Sequence, residues 1–272
     1  MDLLQYAFFR NALIGSIFTC ISCGIAGSYI VSRRLVFISG GITHASLGGL
    51  GLGFYLGVSP ILSALLFSIA SAFGVEWLSK KQDVREDSAI AAFWALGMAL
   101  GVICIFLTPG YSPNISGYLF GNILTITFSD IAFSCILAVL LSVLFFLFFK
   151  PILYTAFDSE FAKTQGVKVA LIENLMMLAI AVTIVSSIRL IGIMLLMSLL
   201  TVPQMTANLF TSRLRKIILY SIIFGIIGCF SGLFLSYYLN IPSGAAIVFL
   251  QILLFLVCKT TLFLYQKTIK HT

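Results

Sequence analysis

Charged side chains are scarce in this sequence, since Asp, Glu, Lys and Arg together make up only 9% of its 272 residues. A soluble domain carries roughly 25% charged residues, because water must solvate its surface. Hydrophobic residues instead make up 60% of the chain, and the mean hydropathy is +1.13. This scarcity of charge excludes a soluble globule and predicts a membrane protein, in which lipid solvates the apolar surface.

Polar segments and loop cysteines are missing as well. No stretch is polar enough to form a second, soluble domain, so we predict one transmembrane domain over residues 1–272. All six cysteines lie in or beside apolar runs, which argues against a framework of disulfides between loops. Cys20 and Cys23, three residues apart, could share a helix face as a metal or redox pair, but the sequence favours small packing residues.

Most of the chain consists of long apolar runs. A bilayer core of about 30 Å needs about 20 helical residues at 1.5 Å each. The sequence therefore predicts an all-α, polytopic transmembrane bundle of about nine spans. These are 11–32, 35–57, 59–79, 88–107, 131–149, 169–188, 190–210, 217–239 and 243–265. Eight spans remain an alternative if 169–210 holds a broken or re-entrant helix, because Pro203 interrupts that stretch.

Basic residues fall mostly on one side of this predicted topology. Fourteen of the 16 Lys and Arg residues lie in alternate breaks between spans or at the C-terminal end, and only Arg10 and Arg189 fall opposite. The positive-inside rule makes the richer side cytoplasmic. We therefore predict that the C-terminus is cytoplasmic, and that the net charge of +7 reflects this bias and not a nucleic-acid partner.

His44 is the one ionisable residue predicted to lie deep within a span. It lies ten residues beyond Arg34, or about 15 Å along a helix, which is near the bilayer midplane. The same span holds six glycines between residues 40 and 53, and small residues allow neighbouring helices to approach closely. An ionisable group at this depth marks an ion or substrate pathway by default, and imidazole suits Zn, Mn or Fe. The alternative is a buried histidine bonded to a neighbouring helix.

Residues 157–167 predict a short amphipathic helix on the side that carries most of the basic residues. Asp158 can cap a helix from Ser159 to about Gln165, and Gly166 can end it. Such an element could dock into a partner's groove or could lie on the membrane surface. Residues 108–129, on the opposite side, carry no formal charge; they are either a packed hairpin or short helix, or a docking face.

The motifs at these positions resemble the permease subunits of zinc, manganese and iron ABC importers over essentially the whole chain. The family's second-span motif is matched by Arg33, Arg34, Phe37 and the run His44-Ala45-Ser46. Phe157-Asp-x-Glu-Phe-Ala-Lys-x-x-Gly-Val167 resembles its coupling helix, where permease meets ATPase. Residues 192–203 and 236–244 resemble two further signatures. Each motif is weak alone, but the four occur in the family's order.

The resemblance implies a permease with a fold like that of the vitamin B12 importer permease. It also implies two copies or close relatives in a bacterial-type plasma membrane, a cytoplasmic ATPase beneath and an external metal-binding protein above. No Gly-x-x-x-x-Gly-Lys-[Ser/Thr] phosphate loop is present, so the chain is expected not to be an enzyme and to hold no cofactor beyond the transported ion. The coupling residues implied are Phe157, Asp158, Glu160, Phe161, Ala162, Lys163 and Gly166. The pathway or close-packing residues are Gly40, Gly41, Ala45, Gly48 and Gly49, with His44 as metal ligand.

One position departs from the family. The carboxylate expected one turn before the histidine is replaced by Gly40, which removes a hard oxygen ligand. This loss favours zinc slightly over manganese, with iron also open. Glu76 and Glu173 lie too close to the ends of their spans to replace the carboxylate.

Two other classes of membrane protein are alternatives to an importer permease. An ion-coupled secondary transporter would show acidic residues within spans and paired repeats, and an intramembrane enzyme would need a catalytic constellation at depth. The sequence shows neither pattern, which favours the importer permease.

Overall fold

A computed structural model of the protein describes residues 5–82, 84–109 and 126–271. Over these ranges the chain forms eleven α-helices and no β-strand. The helices are α1 (Ala7–Ser32), α2 (Val36–Leu56), α3 (Pro60–Lys81), α4 (Glu86–Leu107), α5 (Phe128–Leu147), α6 (Phe149–Phe157), α7 (Ser159–Thr164), α8 (Val169–Leu199), α9 (Val202–Asn208), α10 (Leu214–Leu239) and α11 (Ser243–His271). Most of the segment at 108–129, for which the sequence left packing or docking open, lies outside the described residues.

Within the described residues, eight helical segments are long and apolar enough to cross a membrane. They correspond to eight of the nine predicted spans, and the ninth, α2, has 21 residues, or about 31 Å at 1.5 Å per residue. Glycines and His44 lower the average hydropathy of α2, although its length suffices to span. The predicted all-α membrane bundle of eight or nine spans is confirmed.

The stretch at 169–210 is broken, as its sequence suggests, but at two places. Gly192 has φ 74° and ψ 167°, a conformation that a side-chain-bearing residue rarely adopts, and it kinks α8. The helix then ends at Leu199, and α9 begins at Val202 with Pro203 in its first turn, where a proline costs no hydrogen bond. The predicted break at Pro203 is therefore real, whereas the boundary predicted between the spans 169–188 and 190–210 falls a few residues later, at Gly192.

The chain groups into two compact units. The first comprises Met1–Val31, Phe120–Leu147 and Leu190–Thr272. Within it, α10 and α11 pack closely, because a Cβ at Gly232 would lie 2.5 Å from the Cα of Ile247. Cys20 of α1 faces Cys229 of α10, with 3.6 Å between their sulfur atoms, and both are buried. The structure thus brings the thiol of Cys20 against a residue of another helix.

The second unit comprises Ser32–Leu119 and Phe148–Arg189. It contains α2, α3, α4, α6, α7 and the first part of α8. Ser59 accepts a hydrogen bond from the N–H of Leu62, and Pro60 occupies the first turn, so both residues start α3 where the sequence predicts a span. This unit carries His44 and the helix at 159–164, the two features that the sequence singled out.

Candidate functional site

Small residues bring α2 against its two neighbours. On the α4 side, a Cβ added at Gly48 would lie 2.8 Å from the carbonyl oxygen of Gly97. On the α3 side, a Cβ added at Gly49 would lie 2.5 Å from the Cα of Ala64. Neighbouring helix backbones therefore touch on both faces of α2, and residues 38–53 are largely buried.

The predicted packing or pathway residues of α2 are all buried. They are Gly40, Gly41, Ala45, Gly48 and Gly49. Gly41 faces the side chain of Ile90 on α4, and Ala45 faces Gly97 one turn farther along. A role for these residues in lining an ion pathway stays a prediction.

His44 is the ninth residue of α2 and is partly buried. Its ring stacks on the indole of Trp94 in α4, with 4.2 Å between ring centroids and 8° between ring planes. The Nδ1 atom is buried and has no hydrogen-bond partner among the described residues. A buried nitrogen left without a partner in a native fold calls for an explanation such as a bound ion or water.

The ligand set around His44 is sparse. Nowhere in the described ranges do three or more His, Cys, Asp or Glu side chains gather closely enough to hold an ion. Gly40 supplies no ligand in place of the family's carboxylate. Imidazole alone binds weakly and releases readily, which is the behaviour expected at a transport pathway and not at a storage site.

The helix α7 is capped at both ends, as the sequence predicts. The Asp158 carboxylate accepts a hydrogen bond of 2.9 Å from the N–H of Phe161. At the other end Gly166 has φ 74°, and the N–H groups of Gly166 and Val167 donate to the carbonyls of Lys163 and Ala162. This pattern is a Schellman motif. With both ends capped, the six residues of α7 form a defined helix although it is less than two turns long.

The two faces of α7 differ in exposure. Ala162 is fully buried, while Phe157 and Phe161 are 61% and 46% exposed. Glu160 and Lys163 form an exposed ion pair of 2.7 Å. The ring of Phe161 also packs edge-on against Tyr154 of α6, with 5.4 Å between centroids. The helix therefore presents an aromatic surface with a charged edge.

Arg33 connects three parts of this unit. It follows the end of α1, and one guanidinium nitrogen donates to the carbonyl of Thr155 in α6 at 2.7 Å. Another nitrogen of the same group lies 2.5 Å from the carboxylate of Glu173 in α8. Both side chains are mostly shielded from solvent, at 25% and 21% exposed. Arg33 thus anchors α6, the helix that leads into α7.

Sequence reasoning did not identify Trp94, Gln204 or the partner of Arg33. The sequence suggested Glu173 only as a possible metal ligand. The ion pair with Arg33 was nevertheless foreseeable, because Glu173 lies one turn into its span on the same predicted side of the membrane as Arg33. Trp94 lies in a predicted span where an aromatic residue is unremarkable. Gln204 lies beside Pro203, and its amide donates to the carbonyls of Cys23 and Leu199 at the break between α8 and α9.

Comparison with known proteins relates this arrangement to one family. Residues 5–261 match the sequence profile of the ABC 3 transport family. A manganese transport system membrane protein, MntC of Listeria monocytogenes, is 33% identical over 255 residues, which cover 94% of this chain and 91% of that protein. An uncharacterised membrane protein of Synechocystis is 37% identical over 254 residues, or 93% of this chain and 90% of that protein.

Two solved structures share the fold. PsaBC from Streptococcus pneumoniae, in complex with an Fab, matches with a TM-score of 0.86 and 30% identity, over 94% of this chain and 92% of that one. An inward-facing metal-chelate-type ABC transporter matches in fold with a TM-score of 0.72 at 18% identity, over 93% of this chain and 86% of that one. With the profile covering nearly the whole chain, this multi-pass membrane protein belongs to the ABC 3 transport family, as its resemblance to zinc, manganese and iron permeases predicts.

Proposed function

We propose that this chain is the permease subunit of an ATP-driven importer that carries a divalent transition-metal ion into the cell. The observation that carries the proposal is the exposed aromatic surface formed by Phe157, the last residue of α6, and Phe161 of α7, a short helix capped at both ends. A surface of this kind fits a groove on a partner protein better than it fits water. Membership of the ABC 3 transport family supports an ATPase as that partner.

The ATPase would contact α7 through these two phenylalanines and the Glu160–Lys163 edge. Arg33 supports this docking by holding α6 to the start of α8, so that force applied at α7 reaches the spans. The sequence has no phosphate loop of its own, so ATP hydrolysis falls to the separate subunit. The chain itself acts as a conduit and not as an enzyme.

The cargo would pass His44. Its buried Nδ1 lacks a partner among the residues described here, and a passing cation would satisfy it. The loss of the carboxylate at Gly40 favours zinc by ligand softness, whereas curated relatives are named for manganese. Both ions are therefore the cargoes to test, with iron as the third.

The transport cycle would be alternating access. An external metal-binding protein delivers the ion to a pathway between this permease and a second copy or close relative. ATP binding and release then change which side of the pathway is open. The placement of Lys and Arg supports a bacterial-type plasma membrane orientation with the C-terminus and α7 in the cytoplasm.

Uptake and co-purification test the proposal together. Cells that lack the protein are expected to lose uptake of radioactive Mn²⁺ or Zn²⁺ in depleted medium, and the wild-type gene should restore it. His44→Ala should fail to restore uptake while the protein is still expressed and still co-purifies with an ATPase. Full restoration by His44→Ala would overturn the role of His44.

An ion-coupled secondary transporter makes the opposite prediction. It would purify without an ATPase, and its uptake would stop when the proton gradient is collapsed while ATP is maintained. That result would overturn the importer proposal whatever the ion.

A further inference from the structure

We infer that Trp94 is a positioning residue for the metal pathway: it holds the imidazole of His44 in one orientation and so sets the affinity with which the transported ion binds. The inference rests on the proposed function of His44 and adds the residue through which that function is controlled. The geometry is a close parallel stack, with 4.2 Å between centroids and 8° between planes.

Stacking restricts the imidazole more than ordinary packing would. Rotation of the His44 imidazole about its Cβ–Cγ bond would move an edge of the imidazole into the indole of Trp94, which covers one face of the imidazole. Both ring nitrogens lie in the imidazole plane, and their lone pairs point within that plane. A ring held parallel to Trp94 therefore presents its nitrogens in one fixed plane.

The indole in turn cannot retreat from His44. One turn before His44, Gly41 meets Ile90, and a Cβ there would lie 2.7 Å from the Cγ2 atom of Ile90. Just beyond His44, Ala45 meets the backbone of Gly97 with no room for a further side-chain atom. These two contacts lie on either side of the stack, so α2 and α4 are held at a fixed separation where the rings meet.

The usual device for orienting a ligand histidine is absent at this site. A metal-binding imidazole normally donates its second N–H to a carboxylate or a carbonyl, and loss of that partner typically costs 10–100-fold in metal affinity. In the part of the chain that is described, Nδ1, the nitrogen proposed to meet the ion, is buried without a partner, and no hydrogen bond to the other ring nitrogen is found. The stack on Trp94 takes over the orienting role. Because no cluster of three ligand residues forms among the described residues, the direction of this one imidazole matters more.

Kinetics of metal uptake by the assembled transporter would test this role. Trp94→Leu keeps an apolar side chain and removes the stack, so we expect the KM for Mn²⁺ or Zn²⁺ to rise about tenfold, by analogy with the loss of an orienting partner. The maximal rate should stay within about twofold of wild type, because α7 and the ATPase contacts are untouched. Trp94→Phe, which keeps an aromatic ring, should restore most of the affinity.

The second tryptophan offers a matched control. The sequence has two tryptophans, and Trp77 on α3 is 51% exposed. Trp77→Leu removes the same volume and should leave KM unchanged. An equal rise in KM in both variants would overturn the inference, and so would a Trp94→Leu protein that loses only maximal rate.

A double-mutant comparison separates this inference from the proposed function. In a His44→Ala background, Trp94→Leu should cause no further loss of Mn²⁺ binding to the purified complex, since Trp94 acts through His44. If His44→Ala itself leaves uptake intact, the proposed role of His44 fails. If His44→Ala abolishes uptake but Trp94→Leu leaves KM unchanged, only the present inference fails.

Fluorescence provides a test that does not alter Trp94. In a Trp77→Phe variant, Trp94 is the single tryptophan of this chain, and adding Mn²⁺ to the purified permease should change its emission. The change should vanish in Trp77→Phe/His44→Ala. An unchanged emission in a Trp77→Phe complex that still transports Mn²⁺ would overturn the inference.

Discussion

The guanidinium of Arg33 lies 2.5 Å from the carboxylate of Glu173, across 140 residues of sequence. The same side chain donates to the carbonyl of Thr155, so one arginine satisfies both a helix-bound carboxylate and the backbone of α6. A planar guanidinium with several donors suits this double role, which a lysine could not fill with the same geometry. The contact links the predicted coupling region to the first part of α8, within one compact unit.

Removal of this ion pair should destabilise the protein measurably. An exposed ion pair contributes at most about 1 kcal/mol to stability, whereas loss of one partner of a buried pair costs about 3–5 kcal/mol. Because the Arg33–Glu173 pair is partly shielded, we expect Arg33→Ala to lower the free energy of unfolding by about 1–3 kcal/mol. Thermal unfolding of the purified protein in detergent measures the effect. The swap Arg33→Glu with Glu173→Arg should recover only part of the loss, because the bond to the Thr155 carbonyl is not rebuilt.

The exposed pair on α7 is the matched control for that experiment. Glu160→Gln breaks a pair whose side chains are 58% and 81% exposed, and should cost no more than about 0.3 kcal/mol. If Arg33→Ala were equally mild, the anchoring role of Arg33 would be wrong.

The cap of α7 should matter for docking of the ATPase. Asp158→Ala removes the bond to the Phe161 N–H and should weaken the helix by about 1 kcal/mol. Asp158→Asn keeps an acceptor oxygen at the same place. We therefore expect the alanine variant to bind purified ATPase several-fold more weakly in a pull-down or titration, and the asparagine variant to bind almost normally. Equal weakening in both would show that the charge of Asp158 acts, and not its cap.

The aromatic surface of α7 should govern coupling between transport and ATP hydrolysis. Phe161→Ala removes an exposed ring but leaves the caps and the buried Ala162 in place, so the fold should survive. We expect metal uptake to fall about tenfold or more, as at a central interface residue, with expression unchanged. Phe263→Ala, at a 67% exposed site on α11, is the control for loss of an exposed phenylalanine. Normal uptake and normal ATPase binding in the Phe161 variant would reduce α7 to a surface helix.

Close packing between α2 and α4 should be intolerant of bulk. A side chain at Gly97 would collide with the Cα of Ala45 and approach its carbonyl to 2.8 Å. Because backbone atoms cannot move aside as a flexible side chain does, Gly97→Val should destabilise the protein by at least about 1–3 kcal/mol. Ala95→Val, on the exposed face of α4, adds volume without this collision and should be nearly neutral in the same thermal assay.

Gln204 should stabilise the break between α8 and α9. Its amide donates to the carbonyl of Leu199 at 3.1 Å, at the end of a helix whose last carbonyls lack helical partners. Gln204→Leu leaves that buried carbonyl without a hydrogen bond, which should lower the free energy of unfolding by about 1–3 kcal/mol. A lower unfolding temperature is expected for Gln204→Leu but not for Gln266→Leu, whose side chain is exposed. Equal stability of the two variants would contradict this role.

Much of the fold follows from the sequence because the bilayer leaves few choices. A span must satisfy its backbone hydrogen bonds internally, so an apolar run of about 20 residues becomes a helix. The bounds of α10, Leu214–Leu239, agree with the predicted span 217–239 to three residues. The breaks in 169–210 were foreseeable from Pro203, whereas the exact kink at Gly192 depends on a backbone conformation that periodicity does not reveal.

The local features of the predicted site also follow from sequence. Asp158 and Gly166 determine where α7 begins and ends, because caps act over a few residues. The predicted depth of His44 follows from counting residues beyond Arg34, at 1.5 Å each. Family membership follows from the order of four motifs along one chain.

Sequence by itself thus determined the membrane class, the approximate spans, the capped helix at 159–164 and the histidine within α2. Tertiary structure alone decided which side chains meet: Trp94 over His44, Glu173 beside Arg33, and Cys229 opposite Cys20. These pairs join residues that are 50, 140 and 209 positions apart. Spacing along one helix specifies which face a residue occupies, but not which face of another helix packs against it. That choice depends on how small residues such as Gly48 and Gly97 let whole helices approach.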